Sequence, residues 1–202
     1  THVLTHALHY GSGVFEGARC YYDEESGDSV IFRLQDHMER LHRSAKIAMM
    51  EIPYTAEELC DATVELIKKN NLKSCYIRPL AYYGYGQMGV DPTGAPVDVI
   101  IAVWPWDAYL GPEALENGIK VGVSSWRQRS FNAIPPAVKS SASYMNSILA
   151  KLEAKSHGYA EAVMLNESGH VCEGTGENLF VVRNGILSTP PLSDGLLEGV
   201  TR

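Results

Sequence analysis

The sequence predicts an α+β fold in two domains, and three observations carry that prediction. Apolar residues recur at helical spacing in two segments between residues 34 and 71. Alternating or continuously apolar runs mark strands on either side of them. The stretch from Trp106 to Pro112 breaks both patterns and reads as a linker. The expected division is a small α+β domain over 1–106, a linker over 107–113 and a strand-rich domain over 114–202.

The 202 residues, 45% of them hydrophobic, suffice for one large domain or two small ones with a buried core. The formal charge of -7 comes from dispersed acids with no basic block, so neither nucleic acid nor a membrane surface is an expected partner. Small molecules are. Cys20, Cys60, Cys75 and Cys172 show no C-x-x-C spacing, which points to idle thiols in a reducing compartment. No apolar run approaches the ~18 residues of a membrane span and no signal segment opens the chain, so a cytoplasmic protein is expected.

Taken in order, His6 to Arg19 interleaves glycines with aromatics and reads as a loop entering a strand. His2, His6 and His9 have i, i+4, i+7 spacing, but without further ligands no metal site is expected. Val30-Ile31-Phe32 follows a turn and reads as a strand. Leu34, Met38, Leu41, Ala45, Ala48 and Met49 then define a helix from Asp36 to about Met49. Arg40, about 100° from that stripe, reads by itself as a solvated arginine. Thr55 and Glu58 form a capping box ahead of a second helix that buries Leu59, Thr63, Leu66 and Ile67.

Ser74 to Leu80 begins a strand, and the aromatic, glycine-containing 82–86 suits a cleft wall. Val97 to Trp104, apolar almost throughout, reads as a strand buried on both faces. Ile119, Val121 and Val123 alternate with Lys120, Gly122 and Ser124 as in a half-buried strand. A helix over Ser143 to His157 is expected to bury Met145, Ile148, Leu149 and Leu152, with Gly158 as its stop. Hairpins are expected around Asn166 to Gly169 and around Arg183-Asn184-Gly185.

Lys139 stands alone among small and hydroxyl residues, after Pro135-Pro136 and before Tyr144. A lysine amine attacks a carbonyl only when unprotonated, which desolvation or a neighbouring cation favours. A surface lysine ahead of a helix would look much the same, so this stretch alone leaves both readings open. Pyridoxal phosphate would add two demands. A carboxylate must keep its ring nitrogen protonated, which Glu173 at a Gly-rich bend could do. Its phosphate needs an arginine and free amides, for which Arg40 and the stretch Leu196 to Thr201 are candidates. Glu173 as a polar turn residue and Gly199 to Thr201 as a helix cap are the plain alternatives.

The motifs H-A-L-H-Y-G-S-G-V-F-E-G-A-R, Y-I-R-P-L, A-I-P-P-A-V-K, E-G-T-G-E-N-L-F and L-L-E-G-V-T-R occur in this order along the chain. In them the sequence resembles the class IV pyridoxal-phosphate aminotransferases, and among these it is most similar to branched-chain amino acid aminotransferases. The resemblance implies the two-domain fold of the D-amino acid aminotransferase type, with the C-terminal domain incomplete because family members extend beyond both ends of this sequence. It implies transfer of the amino group of L-leucine, L-isoleucine or L-valine to 2-oxoglutarate by a homodimer or higher homo-oligomer.

Position by position, the resemblance makes Lys139 the Schiff-base lysine, which also moves the proton between the substrate α-carbon and cofactor C4′. Tyr144 would bond the phenolic oxygen and Glu173 the pyridinium nitrogen. Arg40, the amides of Gly199 and Val200 and the Thr201 hydroxyl would hold the phosphate, with Asn178 and Leu197 also at the cofactor. Tyr10, Phe15, Gly17, Tyr76, Arg78, Trp106 and Tyr109 match substrate-pocket positions. Met88 and Val90 match a loop that reaches a neighbouring subunit's site. Relatives acting on D-amino acids carry Arg-x-His where this chain has Arg78-Pro79-Leu80, which favours L-branched-chain substrates over a D-amino acid aminotransferase or an aminodeoxychorismate lyase. A catalytically silent fragment is the remaining alternative.

Overall fold

The computed structural model of the chain describes residues 1–106 and 111–202. Tyr109 and much of the expected 107–113 linker lie outside the described residues. The chain divides into two compact units, one of Thr1–Asp107 with Lys139–Ala142 and one of Ala108–Val138 with Ser143–Arg202.

The first unit is built on an antiparallel sheet. Its long strand β4 (Cys75–Tyr83) pairs with β5 (Val97–Trp104) along one edge. Along the other edge it pairs first with β2 (Ala18–Tyr22) and then with β1 (Gly13–Phe15). The short β3 (Ser29–Ile31) extends the sheet beyond β2. Period-two alternation sends Cys75, Ile77, Pro79 and Ala81 to the buried side of β4 and Tyr76, Arg78 and Tyr82 to the other. Ala18, Cys20, Ile67, Cys75 and Ile77 form the core, with Ile31, Leu72, Ile101 and Val103 packed around them.

Helix α1 (His6–Tyr10) occupies the segment expected to be loop, and Gly11 closes it by donating its N–H to the Ala7 carbonyl at 2.9 Å. Five residues are too few to display a helical period, so the aromatic and glycine punctuation masked it. Helix α2 (Leu34–Ile47) buries Met38, Leu41 and Ala45 as expected, but it stops before Met49, which turns outward at φ 55°. Helix α3 (Ala56–Lys69) starts at the expected capping box: Glu58 N–H donates to Thr55 Oγ1 at 3.1 Å, and Thr55 N–H donates to Glu58 Oε2 at 2.7 Å. Strand β5 differs from expectation. Its register is with β4, and Asp98, Ile100 and Ala102 lie exposed on one face. A continuous apolar run does not by itself distinguish one covered face from two.

In the second unit, after the short α4 (Pro112–Asn117), β6 (Val121–Arg127) pairs parallel with β7 (Glu161–Leu165), which pairs antiparallel with β8 (Val171–Gly174). Helix α5 (Tyr144–Ser156) makes the crossover between the parallel strands. Strands β9 (Val181–Arg183) and β10 (Ile186–Ser188) form the expected hairpin, with Asn184 at φ 53° and Gly185 at φ 76°, the backbone that an Asn-Gly turn supplies most easily.

Two expected faces are reversed here. Helix α5 buries Ala150 and Ala154 against Ala162 and Met164, whereas Met145 (61% exposed), Ile148 and Leu152 face outward. The small residues admit a close helix-to-sheet approach that larger side chains would prevent. In β6, Ser124 is buried and the Tyr159 ring lies across Gly122, while Val121 and Val123 (67% exposed) face outward. Ala150→Leu should therefore lower the unfolding free energy by about 1–3 kcal/mol through overpacking. Ile148→Ala should stay within about 0.5 kcal/mol, as is usual at exposed sites. Urea titrations of both variants check the assignment of the two faces.

Candidate active site

In the first unit Lys139 is fixed by its backbone before its side chain does anything. Phe15 N–H donates to the Lys139 carbonyl at 3.0 Å and Ser141 N–H to the Gly13 carbonyl at 2.8 Å, so this segment borders β1 as an added strand would. Lys139 N–H donates to Ser44 Oγ of α2 at 3.1 Å. The Lys139 Nζ lies 5.0 Å from the centre of the Phe15 ring. Burial pushes this amine down to about 8; Arg40 and Arg78 push the same way, and Glu16 and Tyr76 oppose them.

Glu16 and Arg40 form a buried pair. Arg40 donates from Nε to Glu16 Oε1 at 2.7 Å and from Nη2 to Oε2 at 2.8 Å, a two-point contact with the carboxylate. His37 Nδ1 lies 2.7 Å from Oε2, and beside an ionised carboxylate it is the donor. Burial alone would raise the Glu16 carboxyl, but the bonds from Arg40 and His37, with the charges of Arg40 and Lys139, hold it below the usual carboxylate value. Arg40 is thus only 5% exposed, which corrects the reading of it as a solvated arginine. The missed signal was Glu16 between buried Phe15 and Ala18, together with His37 and Arg40 one turn apart on α2.

Phe15, Gly17, Tyr76, Arg78 and Trp106 are brought together in this unit. The Arg78 guanidinium lies 4.6 Å over the Phe15 ring and donates from Nη2 to the Tyr76 hydroxyl at 3.0 Å. Tyr76 packs against Trp104 at 5.0 Å and Trp106 at 4.6 Å between ring centres. A Cβ on Gly17 would run into the Tyr76 hydroxyl. Arg19 holds this wall by donating from Nη2 to the Trp106 carbonyl at 2.5 Å. Tyr10 and Val90 line a separate cavity of about 380 Å³ with His6, Ser12 and Ser140. His6 itself is buried, with Nδ1 2.6 Å from Ser12 Oγ and Nε2 2.7 Å from the Gly89 carbonyl. Met88 and Val90 are exposed.

The second unit holds Tyr144, Glu173, Asn178 and the 196–201 stretch. Glu173, on β8, accepts Leu197 N–H at Oε2 at 3.1 Å and Gln128 Nε2–H at Oε1. Asn178 Nδ2 donates to the Leu197 carbonyl at 3.0 Å, so Leu197 is held by Glu173 of β8 at its N–H and by Asn178, beyond β8, at its carbonyl. Burial lowers Arg129, opposed by the charges of Glu173 and Tyr144. Gly199 to Thr201 is irregular backbone in which Arg202 N–H donates to the Gly199 carbonyl at 3.1 Å, and Thr201 is exposed. Gln128 and Arg129 were not singled out in the sequence; their signal was a polar W-R-Q-R run at the end of a strand.

An amine pushed down to about 8 is substantially neutral at pH 8, where an ordinary lysine, at about 10.4, is almost wholly charged. Competitive acetylation followed by peptide mass spectrometry should show Lys139 labelling with a midpoint near pH 8. A midpoint above pH 10 would contradict the environment described for it.

The Amino-transferase class IV family profile matches residues 13–202. The branched-chain-amino-acid aminotransferase of Escherichia coli (strain K12) is 51% identical over 202 residues, which is 100% of this chain and 65% of that protein. A crystal structure of the Escherichia coli branched-chain amino acid aminotransferase superposes with a TM-score of 0.96 at 50% identity, over 100% of this chain and 66% of that one. The branched-chain amino acid aminotransferase from Thermobaculum terrenum, solved in its PLP-form (holo-form), gives 0.90 at 35% identity, over 100% and 65%. The chain therefore spans just under two thirds of the length of these relatives. With a family match that runs from β1 to the last residue and identity near one half, this chain belongs to the class IV aminotransferases.

Proposed function

We propose that the chain carries the lysine-bearing part of a pyridoxal-phosphate-dependent aminotransferase that moves amino groups between branched-chain L-amino acids and 2-oxo acids, with 2-oxoglutarate as the partner acid. The observation that carries this reading is Lys139, a backbone-anchored amine pushed down to about 8 by burial beside Arg40 and Arg78. The residues fit the cofactor. Lys139 offers an amine that is readily neutral; Glu173 offers a carboxylate oriented by Gln128 and the Leu197 amide.

Lys139 would hold the cofactor through its carbonyl carbon, Tyr144 its phenolic oxygen and Glu173 its ring nitrogen. Arg40, the amides of Gly199 and Val200 and the Thr201 hydroxyl would hold its phosphate, with Asn178 and Leu197 alongside. Pyridoxal phosphate supplies the carbonyl with which amines condense and the ring that withdraws electrons when the α-proton leaves. Lys139 Nζ would carry that proton between the substrate α-carbon and the cofactor's C4′, a role suited to an amine pushed down to about 8. As a carboxylate Glu173 would be acceptor-only and would favour a proton on the ring nitrogen facing it.

Phe15, Tyr76 and Trp106 form aromatic walls for an apolar substrate side chain, and the missing side chain of Gly17 lets the Tyr76 hydroxyl lie against its backbone. Arg78 pairs with the distal carboxylate of the second substrate. The family resemblance alone assigns Tyr109, which lies outside the described residues, to the same proposed pocket. A homodimer or higher homo-oligomer is part of this reading, supported by the outward exposure of Met88 and Val90. So are a cytoplasmic location, in keeping with four unbridged cysteines, and the division into domains at 107–113. Among the described residues no helix is long and apolar enough to cross a membrane.

Lys139→Ala should abolish the absorbance band of bound pyridoxal phosphate and lower the transamination of L-leucine with 2-oxoglutarate at least about a hundredfold. Arg78→Ala should raise KM for 2-oxoglutarate far more than for L-leucine. An unchanged spectrum in Lys139→Ala would remove the lysine from the mechanism.

A further inference from the structure

Glu16 is a fully buried carboxylate in the turn between β1 and β2, a placement that is costly unless charge and hydrogen bonds compensate it. Its N–H donates to the Pro79 carbonyl at 2.9 Å, which pins the turn to β4. The preceding residue, Phe15, holds the Lys139 carbonyl. On α2, His37 and Arg40 donate to the carboxylate, and Ser44, one turn beyond Arg40, accepts the Lys139 N–H. The carboxylate thus ties the β1–β2 turn to α2, and β1 and α2 in turn hold the backbone of the segment that carries Lys139.

We propose that Glu16 is a positioning residue: through its two-point grip it fixes the direction of the Arg40 guanidinium, and its negative charge sets how much positive field the Lys139 amine feels. The inference rests on the reading of Lys139 as the cofactor amine and of Arg40 as a phosphate ligand. The ionisable groups that act on Lys139 include, among the described residues, Glu16 from the β1–β2 turn, Arg40 from α2, and Tyr76 and Arg78 from β4, with the Phe15 ring 5.0 Å from Nζ. Arg40 and Arg78 favour the neutral amine, whereas Glu16 and Tyr76 favour the charged one. Without Glu16, Arg40 would lose the partner that aims it, and Lys139 would face two guanidinium groups with less to offset them. A carboxylate that merely tied α2 to the sheet would leave the titration of Lys139 where it is.

The test uses the full chain as Glu16→Gln and Glu16→Asp, read by cooperative thermal melting, by the pH midpoint of Lys139 acetylation without cofactor, and by the Kd for pyridoxal phosphate. Glu16→Gln should move the Lys139 midpoint down by roughly half a unit or more, as loss of a nearby opposite charge does. It should also weaken pyridoxal phosphate binding about tenfold or more. Glu16→Asp, which restores the charge, should return the midpoint toward the native value. A folded Glu16→Gln chain with unchanged midpoint and Kd overturns the proposal, as does an equal shift in both variants. Should Glu16→Gln fail to melt cooperatively, Glu16→Asp is read alone: its shortened reach should weaken cofactor binding, and a native Kd overturns the proposal. A native chain that labels at Lys139 only above pH 10 and binds no cofactor overturns the underlying function instead.

Discussion

Two backbone hydrogen bonds, from Phe15 to the Lys139 carbonyl and from Ser141 to Gly13, are the constraint on which the chemistry of the first unit depends. A lysine side chain has four rotatable bonds, so its amine keeps a perturbed basicity only where the backbone is held against the groups that perturb it. Ser44 supplies a third restraint from α2. Once the backbone is fixed there, the Phe15 ring, Glu16, Arg40 and Arg78 act on Nζ from β1 and its following turn, from α2 and from β4. The segment is only four residues long, yet it is the part of the chain between 108 and 202 that belongs to the first unit.

Strand β4 performs two tasks through its alternation. One face supplies Cys75, Ile77 and Ala81 to the core and the other presents Tyr76 and Arg78 beside Phe15. Pairing on both edges keeps the strand in register, so the aromatic and guanidinium groups inherit the rigidity of the sheet rather than that of a loop. In the second unit the equivalent rigidity is less continuous. Glu173 sits on β8, but its partners Gln128 and Leu197 come from irregular segments that it ties together.

Much of the fold was legible because local signals and global packing agreed. The capping box at Thr55, the Asn184-Gly185 turn and the apolar stripe of α2 each specify a backbone conformation that the rest of the chain accepts. Where the reading went wrong, hydrophobicity stood in for burial. The large apolar residues of α5 and β6 face outward because alanine and glycine give the closer packing, and periodicity records spacing but not which face is covered. Arg40 illustrates the matching limit for charge. Burial of an arginine depends on a carboxylate supplied from 24 residues away, which no local window contains. Lys139, Arg78 and Glu173 stood out as candidates through ordered motifs; Gln128, His37 and Glu16 did not, because the side chains they contact come from distant segments.

The contact between Gly17 and Tyr76 has a consequence for how such a pocket can change over time. A methyl group at position 17 overlaps the Tyr76 hydroxyl, and that hydroxyl accepts the Arg78 guanidinium. Replacing Gly17 first meets a clash, whereas trimming Tyr76 first removes the overlap but deprives Arg78 of its acceptor. Positions 17, 76 and 78 therefore form one epistatic unit, in which the order of substitution decides whether a path is passable. Variation in such a wall is expected to proceed by joint replacement of the three residues rather than by independent drift at each.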